Sequence, residues 1–417
     1  MSTGASFSSS TVSLLKTIVG AGLLSMPLAY ATDGLIFGTF VILLAAFTSG
    51  FGLFLQCYVS KFVPLGHASF FSVCSVTYPK LSVVFDIAIA IQCFGCALSY
   101  LVLVGDLMPT IISPSFIDNG NLRTFWILMS TIIIVPLSFL KNLDSLKYTS
   151  ILGLVAIGYL SLIVILHFLI GDIPSDLKGN ITFFPPNVSG VFQTFSIIVF
   201  AFTGHQNMFS IINESRDKSI KKLSLLVYIA IAVSSVFFII VGVSGYLTFG
   251  TNVEGNVILS YPNHWSTTLG RACIAFMVIF SFPLMLHPAR ISVNNIYFWI
   301  KSEESEEADE TTELISKDSP IVPFPNDRFY IITIALLLGG YILAVSIKSF
   351  ALVLAIVGAT GSTAISFILP GLFGYKLLAS GSNPSKTEQL LKILAYILVI
   401  WGFCVMVLCL YVSIFLN

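Results

Sequence analysis

Long apolar runs alternate with short polar or Pro/Gly-rich segments along the whole chain. A helix that spans the hydrocarbon core of a bilayer needs about 20 mostly apolar residues. Eleven runs are close to that length or exceed it, and the fourth is the shortest. We therefore predict an all-α integral membrane protein with eleven transmembrane helices, which we call spans 1 to 11. They lie near residues 11–31, 34–59, 83–108, 124–140, 148–171, 191–212, 223–248, 266–288, 329–347, 350–375 and 391–415.

The composition supports a membrane location. Only 10% of the residues are charged and 56% are hydrophobic, whereas about a quarter of the residues in a soluble domain are charged. So few charges cannot cover a surface exposed to water, and we expect the lipid bilayer to surround the protein. The 20 Lys and Arg residues balance the 20 Asp and Glu residues, which leaves no basic face for nucleic acid. These properties exclude a soluble enzyme and a nucleic-acid-binding protein.

The positive charges lie mainly on one side of the predicted membrane. Fifteen of the 20 Lys and Arg residues fall in or beside the loops that follow even-numbered spans, and three fall on the opposite side. Cytoplasmic loops carry an excess of Lys and Arg. We therefore expect a short cytosolic tail over 1–10, without a cleavable signal peptide, and a C-terminus on the far side of the membrane.

Three N-x-S/T sequons can be placed against this orientation. Asn180 and Asn187 begin two of them in the loop between spans 5 and 6, which the charge distribution places outside the cytosol. They are therefore the glycosylation candidates. Asn213 begins the third on the cytosolic side, where we expect no modification.

Spans 1 and 6 are both interrupted by residues that can unwind a helix. Gly20 and Gly22 lie near the middle of span 1, and a Thr-Gly-His-Gln-Asn segment at 203–207 interrupts span 6. Small residues in span 1 could instead mark a close helix contact. Matching interruptions five spans apart favour an inverted-repeat transporter. The first five-helix repeat would cover 11–172 and the second 191–375, with the helix at 391–415 as an addition.

Three motifs connect the chain to a known family. They are KTIVGAG at 16–22 with Met26-Pro27, FAFTGHQ at 200–206 with Asn213-Glu214, and FPL at 282–284 with HPAR at 287–290. Together they resemble the amino acid/auxin permease family, and within it the fungal vacuolar amino-acid transporters. The resemblance implies a LeuT-like fold, amino-acid substrates, and coupling to protons or, in the sodium-driven branch, to sodium. It also implies a vacuolar (lysosome-like) membrane, with a sodium-coupled plasma-membrane carrier as the alternative.

Broken helices could bind both ends of an amino acid without charged side chains. Free N–H groups and the helix dipole at a half-helix N-terminus suit a carboxylate, and we place it at the backbone of Gly20, Ala21 and Gly22. Freed carbonyl groups suit the ammonium group. The predicted site around it consists of Phe200, Ala201, Phe202, Thr203 and Gly204, with Gln92 and Ser99 on span 3.

Ionisable residues inside a membrane are functional candidates by default. His205 lies in the break of span 6 and titrates near neutral pH in water; it could carry the coupling proton or only hold the break open. The other coupling or gating candidates are Lys16, Asp86, Asp106 and Glu214. The alternative for the two aspartates is a position at the membrane interface. The alternative for Lys16 is to extend its ammonium group to that interface, and the alternative for Glu214 is a cytosolic salt bridge.

In the segment 302–327 between spans 8 and 9, eight acidic residues lie between positions 303 and 318. This composition is typical of a disordered cytosolic linker. Glu310, Leu314 and Ile315 also resemble an acidic dileucine signal, which would bind a sorting adaptor.

An enzyme or a channel is the rival class. An intramembrane enzyme would need acids or His–Glu groups that converge at one depth, and the spans contain neither an HExxH motif nor a close Asp pair. We therefore expect a protein that is not an enzyme and that has no cofactor or metal apart from its coupling ion.

Overall fold

The computed structural model describes residues 4–115, 117–140, 147–304, 324–381 and 384–416. Within them ten helices are long and apolar enough to cross a membrane, and a pair bent by 45° makes an eleventh. The prediction of an all-helical membrane protein with eleven spans is confirmed. The predicted limits of the two repeats remain predictions.

The bent pair forms span 1. Helix 1a covers Phe7–Ile18, a short 3-10 segment covers Ala21–Ser25, and helix 1b covers Met26–Asp33. Span 6 also has two parts, helix 6a at Val188–Ala201 and helix 6b at His205–Glu214. The remaining spans are Leu35–Val59 (2), Ser82–Ile111 (3), Leu122–Met129 with Thr131–Ser138 (4), Lys147–Ile170 (5), Ile220–Phe249 (7), Trp265–Glu304 (8), Asn326–Ser346 (9), Phe350–Val357 to Leu369–Leu377 (10) and Lys386–Phe415 (11).

Several helix limits differ from the sequence prediction, and local contacts explain two of them. Helix 1a begins at Phe7 rather than at residue 11, because the Ser6 hydroxyl caps it by accepting the Ser9 N–H at 3.3 Å. Span 8 continues to Glu304 instead of ending near 288. Its extension buries Arg290, whose guanidinium donates to the Ser138 carbonyl at 2.8 Å. Contacts with span 4 therefore favour the helix beyond Pro288.

Span 10 contains two π-helical segments, Gly358–Ser362 and Ala364–Ile368. Its backbone passes very close to spans 6 and 2. A β-carbon on Gly358 would lie 1.9 Å from the Ser196 carbonyl oxygen, and one on Gly52 would lie 2.0 Å from that of Ser366. Glycine is required at both contacts, because any side chain would push span 10 away from the two helices that it joins.

Helices 1a and 6b are tied together at the end that is predicted to be cytosolic. The N–H of Ala5 donates to the Glu214 carbonyl at 2.8 Å, and the Arg216 N–H donates to the Ala5 carbonyl at 3.0 Å. The hydroxyls of Ser10 and Ser215 are 3.0 Å apart. The start of the chain therefore links the two half-helices.

Loops cover the opposite end of the broken spans. The Leu35 N–H donates to the Thr182 carbonyl at 2.9 Å, which fixes the loop between spans 5 and 6 over the turn after helix 1b. The Ser25 hydroxyl donates to the Gly255 carbonyl at 2.7 Å, in the loop between spans 7 and 8. This end of spans 1 and 6 is thus closed by two loops.

The modification and sorting candidates lie in different parts of the chain. Asn180 is exposed in the loop between spans 5 and 6. Asn187 is also exposed, but its side-chain oxygen caps helix 6a by accepting the Ser189 N–H at 3.1 Å. Glu310, Leu314 and Ile315 lie outside the described residues.

Candidate functional site

The break in span 1 frees two backbone N–H groups. The Gly20 N–H donates to the Ile18 carbonyl at 2.9 Å and the Leu23 N–H donates to the Gly20 carbonyl at 3.1 Å. Between them, the N–H groups of Ala21 and Gly22 have no acceptor within the described part of the chain. They begin the 3-10 segment, where the helix dipole favours negative charge. The site predicted for a carboxylate therefore has two free donors.

The break in span 6 frees carbonyl groups instead. Helix 6a ends at Ala201 and helix 6b begins at His205. The Phe200 carbonyl accepts the Thr203 N–H at 3.1 Å, whereas the carbonyls of Ala201 and Thr203 accept no hydrogen bond from the described residues. Such oxygens suit a cationic group.

The two breaks touch each other. A β-carbon on Gly22 would lie 2.6 Å from the Cβ of Ala201 and 2.8 Å from its Cα. Free donors on span 1 and free acceptors on span 6 are thus brought into one site by a contact that only glycine permits.

A cavity of about 410 Å³ opens beside this contact. It reaches along helices 1a and 6b to Lys16 and Glu214, at the end predicted to be cytosolic. Helices 1b and 6a, apart from the last two residues of 6a, do not line it. The remaining wall comes from spans 3, 5 and 8: Gln92, Cys96, Tyr100, Gly153, Leu154, Ile157, Met277, Ser281, Leu284 and Met285.

Most of the predicted substrate-binding residues line this cavity, and three do not. Those that line it are Gly20, Ala21, Gly22, Gln92, Phe200, Ala201 and Thr203. Phe202 packs edge-on against Phe238, with 4.9 Å between ring centroids. Gly204 lies against Leu14 and Ile18 of helix 1a. The buried Ser99 hydroxyl donates to the Cys96 carbonyl at 2.7 Å.

The Thr203 hydroxyl is oriented by helix 6a, which ends two residues before it. It donates to the Val199 carbonyl at 2.7 Å and lies 3.5 Å from the Ser366 hydroxyl. Because its proton is used, the oxygen can only accept from a bound molecule. It therefore faces the cavity as an acceptor, as a site for an ammonium group requires.

Two glutamine amides add to the polar lining. The Gln92 oxygen accepts from the Ser362 hydroxyl at 2.7 Å, which leaves the Gln92 amide N–H groups for a ligand. The Gln206 side-chain oxygen, in the first turn of helix 6b, is buried and has no partner among the described residues. A buried acceptor without a partner beside a cavity marks a place where a ligand donor could bind.

His205 lies behind the break and not in the cavity. Its Nε2 is 3.1 Å from the Ser49 carbonyl oxygen, which can only accept, so Nε2 carries a proton. Its Nδ1 is 3.0 Å from the Ser366 hydroxyl. The ring is fully buried and connects spans 2, 6 and 10 as a neutral imidazole would. This favours the alternative that His205 only holds the break open.

The two predicted aspartates also lie away from the cavity. Asp86 accepts from the Asn295 amide at 3.1 Å, at the contact of spans 3 and 8. Asp106 accepts from Arg123 at 2.9 Å. Arg123 also donates to the Ala344 and Ile347 carbonyls at 3.0 and 2.8 Å. This cluster connects spans 3, 4 and 9.

Lys16 and Glu214 differ from the other candidates because both line the cavity. Lys16 is half-buried and Glu214 is exposed. Neither forms an ion pair in the part of the chain that the structure describes. Lys16 therefore faces the cavity mouth in this conformation and not the lipid.

Sequence reasoning missed the contributions of spans 5 and 8 and those of helix 6b between its first residue and Glu214. The polar residues among them are Gln206, Asn207, Ser210 and Ser281, and Tyr100 of span 3 was missed as well. Asn207 donates to the Thr17 hydroxyl at 3.3 Å. Its place in the polar 203–207 segment was a usable signal. Spans 5 and 8 offered none, because apart from Ser281 their lining residues look like ordinary apolar helix positions.

A cavity at two touching helix breaks, with free N–H groups on one side and free carbonyl groups on the other, is the arrangement at which transporters bind small molecules. This combination defines the class of small-molecule transporters. A family model described as transmembrane amino acid transporter protein matches residues 3–415. The chain belongs to this family, which confirms both the resemblance to amino acid/auxin permeases and the expectation that the protein is not an enzyme.

Individual relatives agree over nearly the whole chain. It is 40% identical to vacuolar amino acid transporter 7 of Saccharomyces cerevisiae, covering 98% of this chain and 97% of the relative. It is also 40% identical to vacuolar amino acid transporter 5 of Schizosaccharomyces pombe, covering 98% and 94%. A more distant relative, sodium-coupled neutral amino acid transporter 7 of Homo sapiens, is 26% identical over 86% of this chain and 76% of its own.

Proposed function

We propose that this protein moves amino acids across the vacuolar membrane, coupled to protons, by alternating access around the breaks of spans 1 and 6. The family and the names of the two fungal relatives support the cargo and the membrane. The contact of Gly22 with Ala201 carries the proposal, because it joins free N–H groups to free carbonyl groups at the inner end of a cavity.

The substrate carboxylate would bind the N–H groups of Ala21 and Gly22. Its ammonium group would bind the free carbonyls of Ala201 and Thr203 and the Thr203 hydroxyl. The side chain would then extend towards spans 3, 5 and 8. Lys16 and Glu214 are the only charged residues of the described chain that line the cavity, and both stand at its mouth. We therefore expect substrates with uncharged side chains.

The conformation supports alternating access, because the cavity is open at one end of the protein and closed at the other. The cavity opens between helices 1a and 6b, while helices 1b and 6a are packed together and covered by two loops. With the orientation inferred from Lys and Arg, this is the state open to the cytosol. Transport would require 1b and 6a to separate while 1a and 6b close, with Lys16 and Glu214 meeting at the mouth.

Uptake into vesicles tests the function. The purified protein is reconstituted, and a panel of labelled amino acids is offered with a pH gradient in each direction and with or without sodium. We expect neutral amino acids to be transported in response to the pH gradient without sodium. Dependence on sodium instead would favour a sodium-coupled carrier, and absence of transport for every amino acid would contradict the proposal.

A pair of glycine variants tests the site. A β-carbon on Gly20 has its nearest protein neighbour 4.0 Å away, so Gly20→Leu would place its side chain in the cavity. Gly158→Leu is the matched control, because a β-carbon there meets nothing within 4 Å and the position lies on the exposed face of span 5. We expect Gly20→Leu to abolish transport and the control to retain it.

A further inference from the structure

Asp33, the last residue of helix 1b, is an acid that the mechanism above does not use. Its side chain is fully buried. One carboxyl oxygen accepts from the Thr194 hydroxyl of helix 6a at 2.7 Å. The other has no hydrogen-bond partner in the described part of the protein. An ionised carboxylate accepts up to about four hydrogen bonds, so this environment serves the neutral form much better than the charged one.

The surroundings of Asp33 contain no compensating positive charge. Helix 6a and the first half of span 2 contain no ionisable residue. The ionisable side chains packed nearby are Tyr30 on its own helix and Tyr246 on span 7, which stack on each other. None of the ionisable residues of the two covering loops forms an ion pair with Asp33. Tyr261 is buried against Phe249, and the others are exposed: Asp172, Asp176, Lys178, Glu254 and His264.

The position of Asp33 at the end of helix 1b also disfavours a negative charge. It places the residue at the contact between helices 1b and 6a, which must open during the proposed transport cycle. A helix C-terminus carries the negative end of the dipole. Beside it, a β-carbon on Gly190 would lie 2.4 Å from the Thr32 Cγ2, so helices 6a and 1b touch closely here. Gly34, with φ of +79°, turns the chain beneath the backbone of Phe183 and Phe184. A β-carbon built on Gly34 would lie 2.5 Å from that backbone. Asp33 is thus enclosed only while this end is shut.

We infer that Asp33 takes up a proton from the compartment at this end of the protein before helices 1b and 6a close, so that closure depends on the pH of that compartment. When the two helices separate, water reaches the carboxyl group and the proton can leave to it. When they close, the Asp33–Thr194 contact forms around the protonated acid. The inference rests on the proposed transport cycle and assigns it a proton-binding residue.

Transport measurements test this role through the pH profile. The pH at the 1b–6a end is varied between 5.5 and 8 while the other side is held constant. One titrating group changes a rate by at most about tenfold per pH unit, and we expect the unmodified protein to be faster at low pH. Asp33→Asn, which is neutral at every pH, should transport with a flat profile. Asp176→Asn, an exposed aspartate of the covering loop, is the control and should keep the original profile.

A second measurement needs no transport and separates this inference from the proposed function. Unfolded aspartate is charged above about pH 4, so burying Asp33 in its neutral form takes up a proton and loses stability as the pH rises. Asparagine takes up none. The unfolding temperature of Asp33→Asn should therefore exceed that of the unmodified protein at pH 8 and match it near pH 5. Parallel curves would overturn the inference, as would an Asp33→Asn transport profile that equals the unmodified one.

Thr194→Val keeps the test informative should Asp33→Asn not fold. The valine removes the carboxyl group's hydroxyl partner and leaves Asp33 itself in place. The charged form of Asp33 then loses its single hydrogen-bond donor, so Asp33 should stay protonated to a higher pH. The faster transport and the higher unfolding temperature expected at low pH should therefore persist to higher pH. A profile that is unchanged in Thr194→Val would contradict a titrating role for Asp33.

Discussion

Gly22 of span 1 lies directly against Ala201 of span 6, so closely that a β-carbon on the glycine would be 2.6 Å from the alanine Cβ. This contact sets the distance between the free N–H groups of one break and the free carbonyl groups of the other. It is therefore a structural requirement of the site, whereas the neighbouring Gly20 faces open space.

Substituting these two glycines should separate packing from binding. Gly22→Ala forces spans 1 and 6 apart, and overpacking of this kind costs about 1–3 kcal/mol. We expect a lower unfolding temperature and severely reduced transport. Gly20→Ala should keep the unfolding temperature, because its β-carbon meets no protein atom closer than 4.0 Å, and should change the KM for the amino acid. Equal unfolding temperatures for the two variants would contradict the assigned contact.

Much of the fold follows from hydropathy alone, because the bilayer requires long apolar helices and leaves few alternatives. The interruptions of spans 1 and 6 could also be predicted from Gly20, Gly22 and the polar segment at 203–207. The π-helical course of span 10 could not. It depends on the close passage at Gly52 and Gly358, a tertiary contact that leaves no periodic pattern.

The parts of the candidate site that consist of backbone groups could be predicted from the sequence. The parts that depend on how side chains are oriented could be predicted less well. His205 begins helix 6b next to the predicted break, but the direction of its side chain depends on Ser49 and Ser366, which are remote in sequence. Asp33 was missed altogether. At the end of an apolar run it looks like an ordinary interface residue, and its buried contact is with Thr194, 161 positions away.

His205 is expected to be structural, and two substitutions distinguish this from proton coupling. His205→Gln can still donate to the Ser49 carbonyl, so it should fold and keep the pH dependence of transport. His205→Ala leaves that carbonyl and the Ser366 hydroxyl without their partner, at about 1–3 kcal/mol for each buried group, and should unfold at a lower temperature. The measurements are thermal unfolding and the pH profile of uptake. Loss of the pH dependence in a well-folded His205→Gln would identify His205 as the titrating group.

The Thr203 hydroxyl is expected to accept from the substrate ammonium group. Thr203→Val should raise KM roughly tenfold or more, because a hydrogen bond to a charged group contributes about 1.5–3 kcal/mol, whereas Thr203→Ser should stay close to the original value. Thr363→Val is a suitable control. Its hydroxyl donates to the Gly358 carbonyl at 2.7 Å, as that of Thr203 donates to Val199, but Thr363 does not line the cavity. A rise in KM of the same size in both valine variants would show that the effect is only structural.

The Arg123 cluster is expected to stabilise the fold without contributing to transport chemistry. Arg123 connects Asp106 with the carbonyls of Ala344 and Ile347, at the end of span 9. Arg123→Ala loses these charged hydrogen bonds, which contribute about 1.5–3 kcal/mol, and should lower the unfolding temperature. Lys178→Ala, an exposed charge at the same end of the protein, should not. KM and the pH profile should be unchanged in both variants, because the cluster lies outside the cavity. An altered pH profile in a folded Arg123→Ala would instead connect Asp106 to coupling.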